Sequence, residues 1–408
     1  MRHNQFMQVR LLLWMATGSV ATTNTWAQLM MHSGPHGPRI HGTDLAVLEA
    51  GDTRKDLPCS LQPDKAYLGF DMRFHSGFDV QVPLKELAGN ENMLTMLFRV
   101  TPDGQPENAK YFVHRIRVPQ IEEEAKGDTY LEGGFDLGEG KYKVDWLMRD
   151  RAERVCAHSW DVEASLPAKD KQMALVVPAN AVEQMHGDQF QPEPAVQREP
   201  GEGLHVKIVM NFAPQRTTAS ALKPTDLAAL VAILRTLSRD PRIAKFTLVA
   251  FNMNDQKVFH RQDQVERIDF PALGKSMNQV AVGTVNLKHM VEKHSTTSFL
   301  TKLIGDECGP NTRADAVVFA GPKAMLDQNV PAEEVKALEL AYPVFYMNYI
   351  LNPQATPWRD AIGVAVKQMK GVEYTITRPR DLWFSISEMV GRIVKFRNGK
   401  TVAAVSSQ

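Results

Sequence analysis

The apolar periodicity changes at about residue 204, and that change commits the chain to two kinds of folding unit. Upstream, short alternating runs recur: Phe70, Met72 and Phe74, then Phe78, Val80 and Val82, then Met93 to Val100, Tyr111 to Val118, Lys141 to Met148 and Val155 to Val162. Successive strand side chains point to opposite faces, so these runs, broken by Pro102, Asp103, Gly104 and by Gly138, Glu139, Gly140, predict half-buried strands. Their spacing predicts an antiparallel β-sandwich of the immunoglobulin-like kind over residues 57–168, with Trp146 and Trp160 anchoring its core. Downstream, Val206, Ile208, Val209 and Met210 form a short buried run, and Leu227, Leu230, Val231, Leu234 and Leu237 then recur at helical spacing. Strand patterns at 246–253, 257–260, 316–320, 344–350 and 374–377 alternate with helical ones near 287–305, 332–340, 358–369 and 380–396. Such alternation predicts an α/β unit over 204–396, a doubly wound, mostly parallel sheet of Rossmann type with one antiparallel edge.

Between the two patterns, residues 169–203 contain a candidate strand at Met173 to Val177 and then Pro192, Glu193, Pro194, Glu199 and Pro200, which read as a Pro/Glu-rich linker. At 408 residues the chain is long enough for two domains. Residues 1–27 carry Arg2 and Arg10, no acidic residue, a short apolar core from Leu11 to Ala16, and small side chains at Thr25 and Ala27. That is the pattern of a Sec signal peptide cleaved before Gln28, and its core is too short to remain as a membrane anchor. A free periplasmic or extracellular protein follows. Residues 28–56, with His32, Gly34, Pro35, His36, Gly37, Pro38 and His41, read as a flexible tether, and 397–408 as a polar tail.

Lys plus Arg and Asp plus Glu both number 47. Loss of Arg2 and Arg10 with the leader leaves 45 basic against 47 acidic residues, so no positive field exists to attract nucleic acid. Export makes the three cysteines readable, because disulfides persist in oxidising compartments. A Cys59–Cys156 bridge would close a long loop, while three buried thiols, with Cys308, are the alternative. Neither a CxxC pair nor zinc-type spacing is present.

The order of elements in the C-terminal half adds a resemblance. The strand and hairpin of Thr247 to Met253 and Lys257 to His260, after a strand and a long helix, and the late segment Tyr374-Thr-Ile-Thr-Arg-Pro-Arg-Asp-Leu resemble the von Willebrand factor A domain over 204–395. The likeness is to exported bacterial members usually called VWFA-related. It implies a binding module whose ligand meets the C-terminal ends of the strands, where the family holds a divalent cation. The family motif Asp-x-Ser-x-Ser is replaced here by Asn211-Phe212-Ala213-Pro214-Gln215, and the later Asp-Gly by Ala320-Gly321-Pro322. Amide and methyl groups do not supply the charged oxygen set that a hard cation needs. Thr284, or Thr296 in another alignment, would match the family's threonine. The resemblance therefore implies a degenerate ion site, no cofactor and an unidentified protein partner, with Asn211, Gln215, Thr217, Thr284, Asn286 and Gly321 as candidate binding-face residues.

Residues 211–223 contain no glycine for a phosphate loop, and no G-x-S-x-G elbow follows a strand. His289 and His294 are five apart, not the four of a zinc-protease helix. Glu122, Glu123 and Glu124 read as a solvated loop, and Arg378 with Arg380 as exposed structure or an anion site. The expectation is an exported protein-binding or assembly module that is not an enzyme. A hydrolase-type enzyme with an unrecognised crevice site, and a structural envelope spacer, are the alternatives.

Overall fold

The computed structural model describes residues 28–31, 40–89, 91–185, 188–214, 222–281, 295–309, 312–326, 328–338, 340–351 and 360–406, without the side chains of 280, 281, 295 and 400–406. The leader reading falls outside them. Upstream of residue 185, alternation becomes eleven strands: β1 (Gln28–Met31), β2 (Arg54–Lys55), β3 (Ser60–Pro63), β4 (Tyr67–Leu68), β5 (Phe74–Pro83), β6 (Asn92–Pro102), β7 (Lys110–Val118), β8 (Asp128–Leu137), β9 (Gly140–Arg149), β10 (Val155–Ala164) and β11 (Val182–Gln184). They form two sheets, ordered β1-β7-β6-β9-β10-β2 and β11-β8-β5-β3, with β4 on β5. Every pairing is antiparallel. The two sheets share an aromatic core. Phe78 of β5 meets the edge of Phe98 of β6 at 5.2 Å and of Trp146 of β9 at 5.6 Å. Trp146 is 1% exposed, and the half-buried Trp160 packs on Phe78. Each such ring pair adds about 0.5–1.5 kcal/mol beyond the area it buries.

Strand β8 escapes the apolar pattern because Gly133 and Gly134 interrupt it. A Cβ at Gly133 would lie 2.4 Å from the Phe78 ring, so the missing side chain is what lets the central aromatic seat against the strand. The expected tether at 28–56 is overturned by regular elements. β1 pairs with β7, and Gln28 is buried, its side chain donating to the Gly134 carbonyl at 2.6 Å and accepting from the Gly134 N–H at 3.2 Å. Helix α1 (Gly42–Ala50) lays Leu48 against Leu97 and Leu147, and Asp44 pairs with Arg149 at 3.0 Å. Glycine and proline in 33–38 do not stop the flanking residues from finding partners.

The segment at 169–203 is likewise fastened. Met173 to Val177 is not a strand: Met173 and Val177 are buried in a loop, and Val176 donates to the Met72 carbonyl at 2.9 Å. Glu193, 7% exposed, accepts from Arg239 at 2.8 and 2.9 Å and pairs with Arg235. Arg235 also donates to the carbonyls of Gln189 and Gln191, and Arg239 to that of Asp71 across the junction. A carboxylate gripped by two guanidiniums thus turns a composition that reads as linker into a strap.

Downstream follow β12 (Leu204–Asn211), α2 (Pro224–Arg239), β13 (Ile243–Asn252), β14 (Lys257–Val265), α3 (Phe270–Ala281), α4 (Ser295–Cys308), β15 (Ala316–Gly321), α5 (Ala332–Lys336), β16 (Val344–Tyr349), α6 (Ala361–Gln368), β17 (Val372–Ile376) and α7 (Pro379–Ser406). The strands form one mixed sheet, β14-β13-β12-β15-β16-β17. β14 runs antiparallel to β13 and the remaining pairs are parallel. Ile208, Met210, Leu248 and Val318 face Leu230 and Leu234 of α2 and Ile386 and Met389 of α7. Val209, Val249 and Phe319 face Leu300 and Ile304 of α4 and Ile362 and Val366 of α6. The chain is therefore mixed α/β, two antiparallel sheets and one mixed sheet. One continuous apolar core includes residues of all three sheets. Helix α7 continues through Ser406, so the expected polar tail is helical backbone over most of its length.

Candidate functional site

In an open sheet with helices on both faces, neighbouring loops diverge where the strand order reverses, and a crevice opens at the carboxyl ends of those strands. Here that point lies between β12 and β15, which places Asn211 and Gly321 at its edge. Both are candidate binding-face residues, and the fold brings them together. Gly321 sits at φ +139°, where a Cβ would be 2.7 Å from the Asn211 carbonyl oxygen. Only glycine permits this approach and this backbone conformation.

Asn211 is 1% exposed, and its Oδ1 accepts from the N–H of Ala213 at 3.0 Å and of Met253 at 3.2 Å. That oxygen is tied to the two backbone segments leaving β12 and β13. Thr296, in α4, reaches the neighbouring hairpin, its hydroxyl accepting from Gln256 at 3.3 Å. Gln215, Thr217, Thr284 and Asn286 lie outside the described residues. So do His289 and His294.

The polar groups farther along the rim carry no signal in the sequence. Asn348 of β16 is fully buried, donates to Glu373 of β17 at 2.6 Å, and has no partner for Oδ1 among the described residues. Asp360 caps α6, its Oδ1 accepting from Ile362 at 3.2 Å and from Ala324 at 3.1 Å. Burial raises its pKa, the backbone donors and Tyr346 oppose that, and Glu373 adds to it. Burial, then the charge of Asp360, also holds the Tyr346 phenol well above its ordinary range. An isolated Asn in an apolar strand and an Asp before a helix are ordinary sequence features; the fold alone brings Asn348 beside Glu373 and ties Asp360 to Ala324 beyond β15.

Arg378 and Arg380 are engaged within the molecule. Arg378 pairs with Asp381 at 3.6 Å, and Arg380 with Asp170 at 2.8 Å, where it joins the two halves. Glu122, Glu123 and Glu124 are exposed. Cys59 and Cys156 form a disulfide with Cα atoms 6.3 Å apart, and Cys308 is a buried free thiol. The bridge suits an oxidising, exported environment. No helix among the described residues is long and apolar enough to cross a membrane. Among the described residues, one group of three metal-competent side chains lies close together, Cys59, Cys156 and His158, and it belongs to the antiparallel half. Burial and then the charge of Lys55 lower the His158 pKa, which favours the neutral imidazole.

No family model matches the chain, and no curated protein matches it. Among solved structures, it is similar to the conserved hypothetical protein BatB from Bacteroides thetaiotaomicron, at 13% identity and a TM-score of 0.29 over 47% of this chain and all of that one. A calcium-binding mutant of Bacteroides uniformis beta-glucuronidase 2 gives 8% identity and a TM-score of 0.18 over 76% of this chain and 25% of that one. A Paenibacillus cycloisomaltooligosaccharide glucanotransferase gives 11% and 0.19 over 73% and 45%. Scores this low carry no argument about fold or activity.

Proposed function

We propose that this is a Sec-exported protein-binding module of von Willebrand factor A-like type, which meets a protein partner at the carboxyl rim of its mixed sheet without a divalent cation. The observation that carries the reading is Asn211. It occupies the point where the strand order reverses, and two backbone N–H groups occupy its side-chain oxygen. An amide already used in this way offers a hard cation neither charge nor a free donor. An amide bonded to backbone in place of a carboxylate at this point of the rim suits recognition of a partner by shape and hydrogen bonding.

The test is affinity capture from periplasmic and secreted extracts with the full chain, run with Mg²⁺ and with EDTA, alongside Gln215→Arg and Thr217→Arg variants. The same partner should be retained in both buffers and lost from the Gln215→Arg and Thr217→Arg variants. Capture that depends on Mg²⁺, or that survives both substitutions, overturns the reading. A melting temperature indifferent to EDTA is the companion expectation, since a cation bound only by the native state must raise it.

A further inference from the structure

The disulfide of the antiparallel half has a third partner. Cys156 and His158 are alternate residues of β10, so their side chains leave the same face of the strand, toward the sheet that begins with Cys59 and β3. The two sulfurs and an imidazole nitrogen lie within 4.8 Å of one another. Cys59 Sγ and His158 Nε2 are 3.9 Å apart. Metal–sulfur and metal–nitrogen bonds of about 2.3 and 2.0 Å, opened by about 109° in a tetrahedral or 120° in a trigonal set, separate two donors by roughly 3.5–3.7 Å. The Cys59–His158 pair is thus already spaced as two ligands of one ion, and the sulfur pair alone must open.

The surrounding backbone is held without the covalent bridge. Leu57 donates to the Val155 carbonyl at 3.0 Å on one side of Cys59, and Ser60 pairs with Gln81 on the other. Cys156 itself pairs with Lys55 and with Met148. Breaking the S–S bond therefore leaves both thiols close to where they stand. Thiolate with imidazole is the donor set for soft d¹⁰ cations.

We propose that Cys59, Cys156 and His158 form a redox-controlled site for one soft cation, zinc(II) or copper(I), open when the disulfide is reduced and closed when it is oxidised. The reductant is a dithiol. Its thiolate attacks the half-buried Cys59 sulfur, and the S–S bond breaks with Cys156 leaving as thiolate. The second thiol of the reductant then releases Cys59 and closes the reductant's own disulfide. Two electrons pass to the protein sulfurs. The cation binds as the Cys59 and Cys156 thiols give their protons to solvent, and the His158 imidazole completes a three-ligand set.

The experiment uses the full chain carrying Cys308→Ser, which removes the remaining thiol. The protein is reduced anaerobically with dithiothreitol, desalted, and titrated with Co²⁺ and then Zn²⁺, with circular dichroism recorded throughout. The expected result is one equivalent of Co²⁺ giving a thiolate charge-transfer band, displaced by Zn²⁺ and absent from the oxidised protein. His158→Ala should weaken binding roughly tenfold or more, and Cys59→Ser should abolish the band. Reduced protein that binds no cobalt, that binds it equally well as His158→Ala and Cys59→Ser, or that unfolds on reduction overturns the proposal.

Discussion

The antiparallel half and the mixed-sheet half are both closed by apolar and aromatic side chains, yet they treat buried polar groups differently. In the first, charge is matched by charge. His75 lies between Asp136 at 2.8 Å and Asp71 at 3.0 Å, while Arg73 reaches Asp136 at 3.3 Å and Glu183 at 2.5 Å. Arg99 meets buried Asp145 at 2.8 Å. In the second, such a match occurs away from the rim, where Lys207 pairs with buried Glu307 at 3.1 Å. At the rim, Asn211 and the Oδ1 of Asp360 are met by backbone N–H groups. Charged networks fix side chains on both partners and leave little to offer a ligand. Rim groups bound to backbone instead fix the ends of the strands, the positions from which binding surfaces on a rigid sheet are built.

The largest effect is expected from removing the covalent staple of the charge-matched half. The Cys59–Cys156 bridge spans 97 residues of sequence. Closing a loop of that length restricts the unfolded chain by about 4.7 kcal/mol on the chain-entropy account. A Cys59→Ala/Cys156→Ala double variant should lose about that much in urea unfolding. Because one apolar core includes residues of all three sheets, tryptophan fluorescence and far-ultraviolet circular dichroism should shift together. Separated transitions would show that the halves are independent units and that their contrast is one of separate domains.

Next in size is Glu193, the group through which the strap holds α2. Replacing it with Ala leaves the half-buried Arg235 and Arg239 without their buried carboxylate, a loss of at most roughly 3 kcal/mol, the low end for a broken buried pair, since both guanidiniums keep backbone carbonyls. Glu193→Gln should lose less. Equilibrium unfolding of the two variants measures the difference, and equal losses would mean that shape rather than charge holds the strap.

Glu193 also shows where sequence reading stops. In sequence it is one acidic residue between two prolines, and its role is set by arginines more than 40 positions away. β5, β6, β7, β9 and β10 were legible because their alternation is local. β8 was not, because the glycine that accommodates Phe78 breaks the pattern that would reveal it. At the rim, Asn211 and Gly321 stood out only through a resemblance to a motif they depart from. Asn348 and Asp360 had no local signal, since parallel strands bring together residues separated by a whole crossover. The cysteine pairing was one of two open readings, and the neighbouring His158 gained meaning only from its place two residues along β10.

The smallest effect, per unit of pH, comes from the matched charges around His75. Burial pushes the His75 pKa down, but hydrogen bonds to Asp136 and Asp71 and their charges outweigh it and raise it to about 10. Arg73 and Glu183 complete the charged surroundings, and the Tyr67 ring lies 5.5 Å away. A pKa raised on folding means that the folded state holds a proton the unfolded state releases near 6.5. His75 therefore contributes its full stabilisation below about pH 6.5, loses it progressively as pH rises, and contributes none above about pH 10. Within that window one linked proton is worth at most about 1.4 kcal/mol per pH unit. Melting temperature measured at successive pH values from 6.5 to 9 should decline in the parent protein. In His75→Gln the decline should be shallower, because the amide has no proton to lose over this range. An unchanged slope would mean that His75 is neutral in the folded state, and that the antiparallel half is held by packing and its disulfide rather than by the matched charges that distinguish it from the rim.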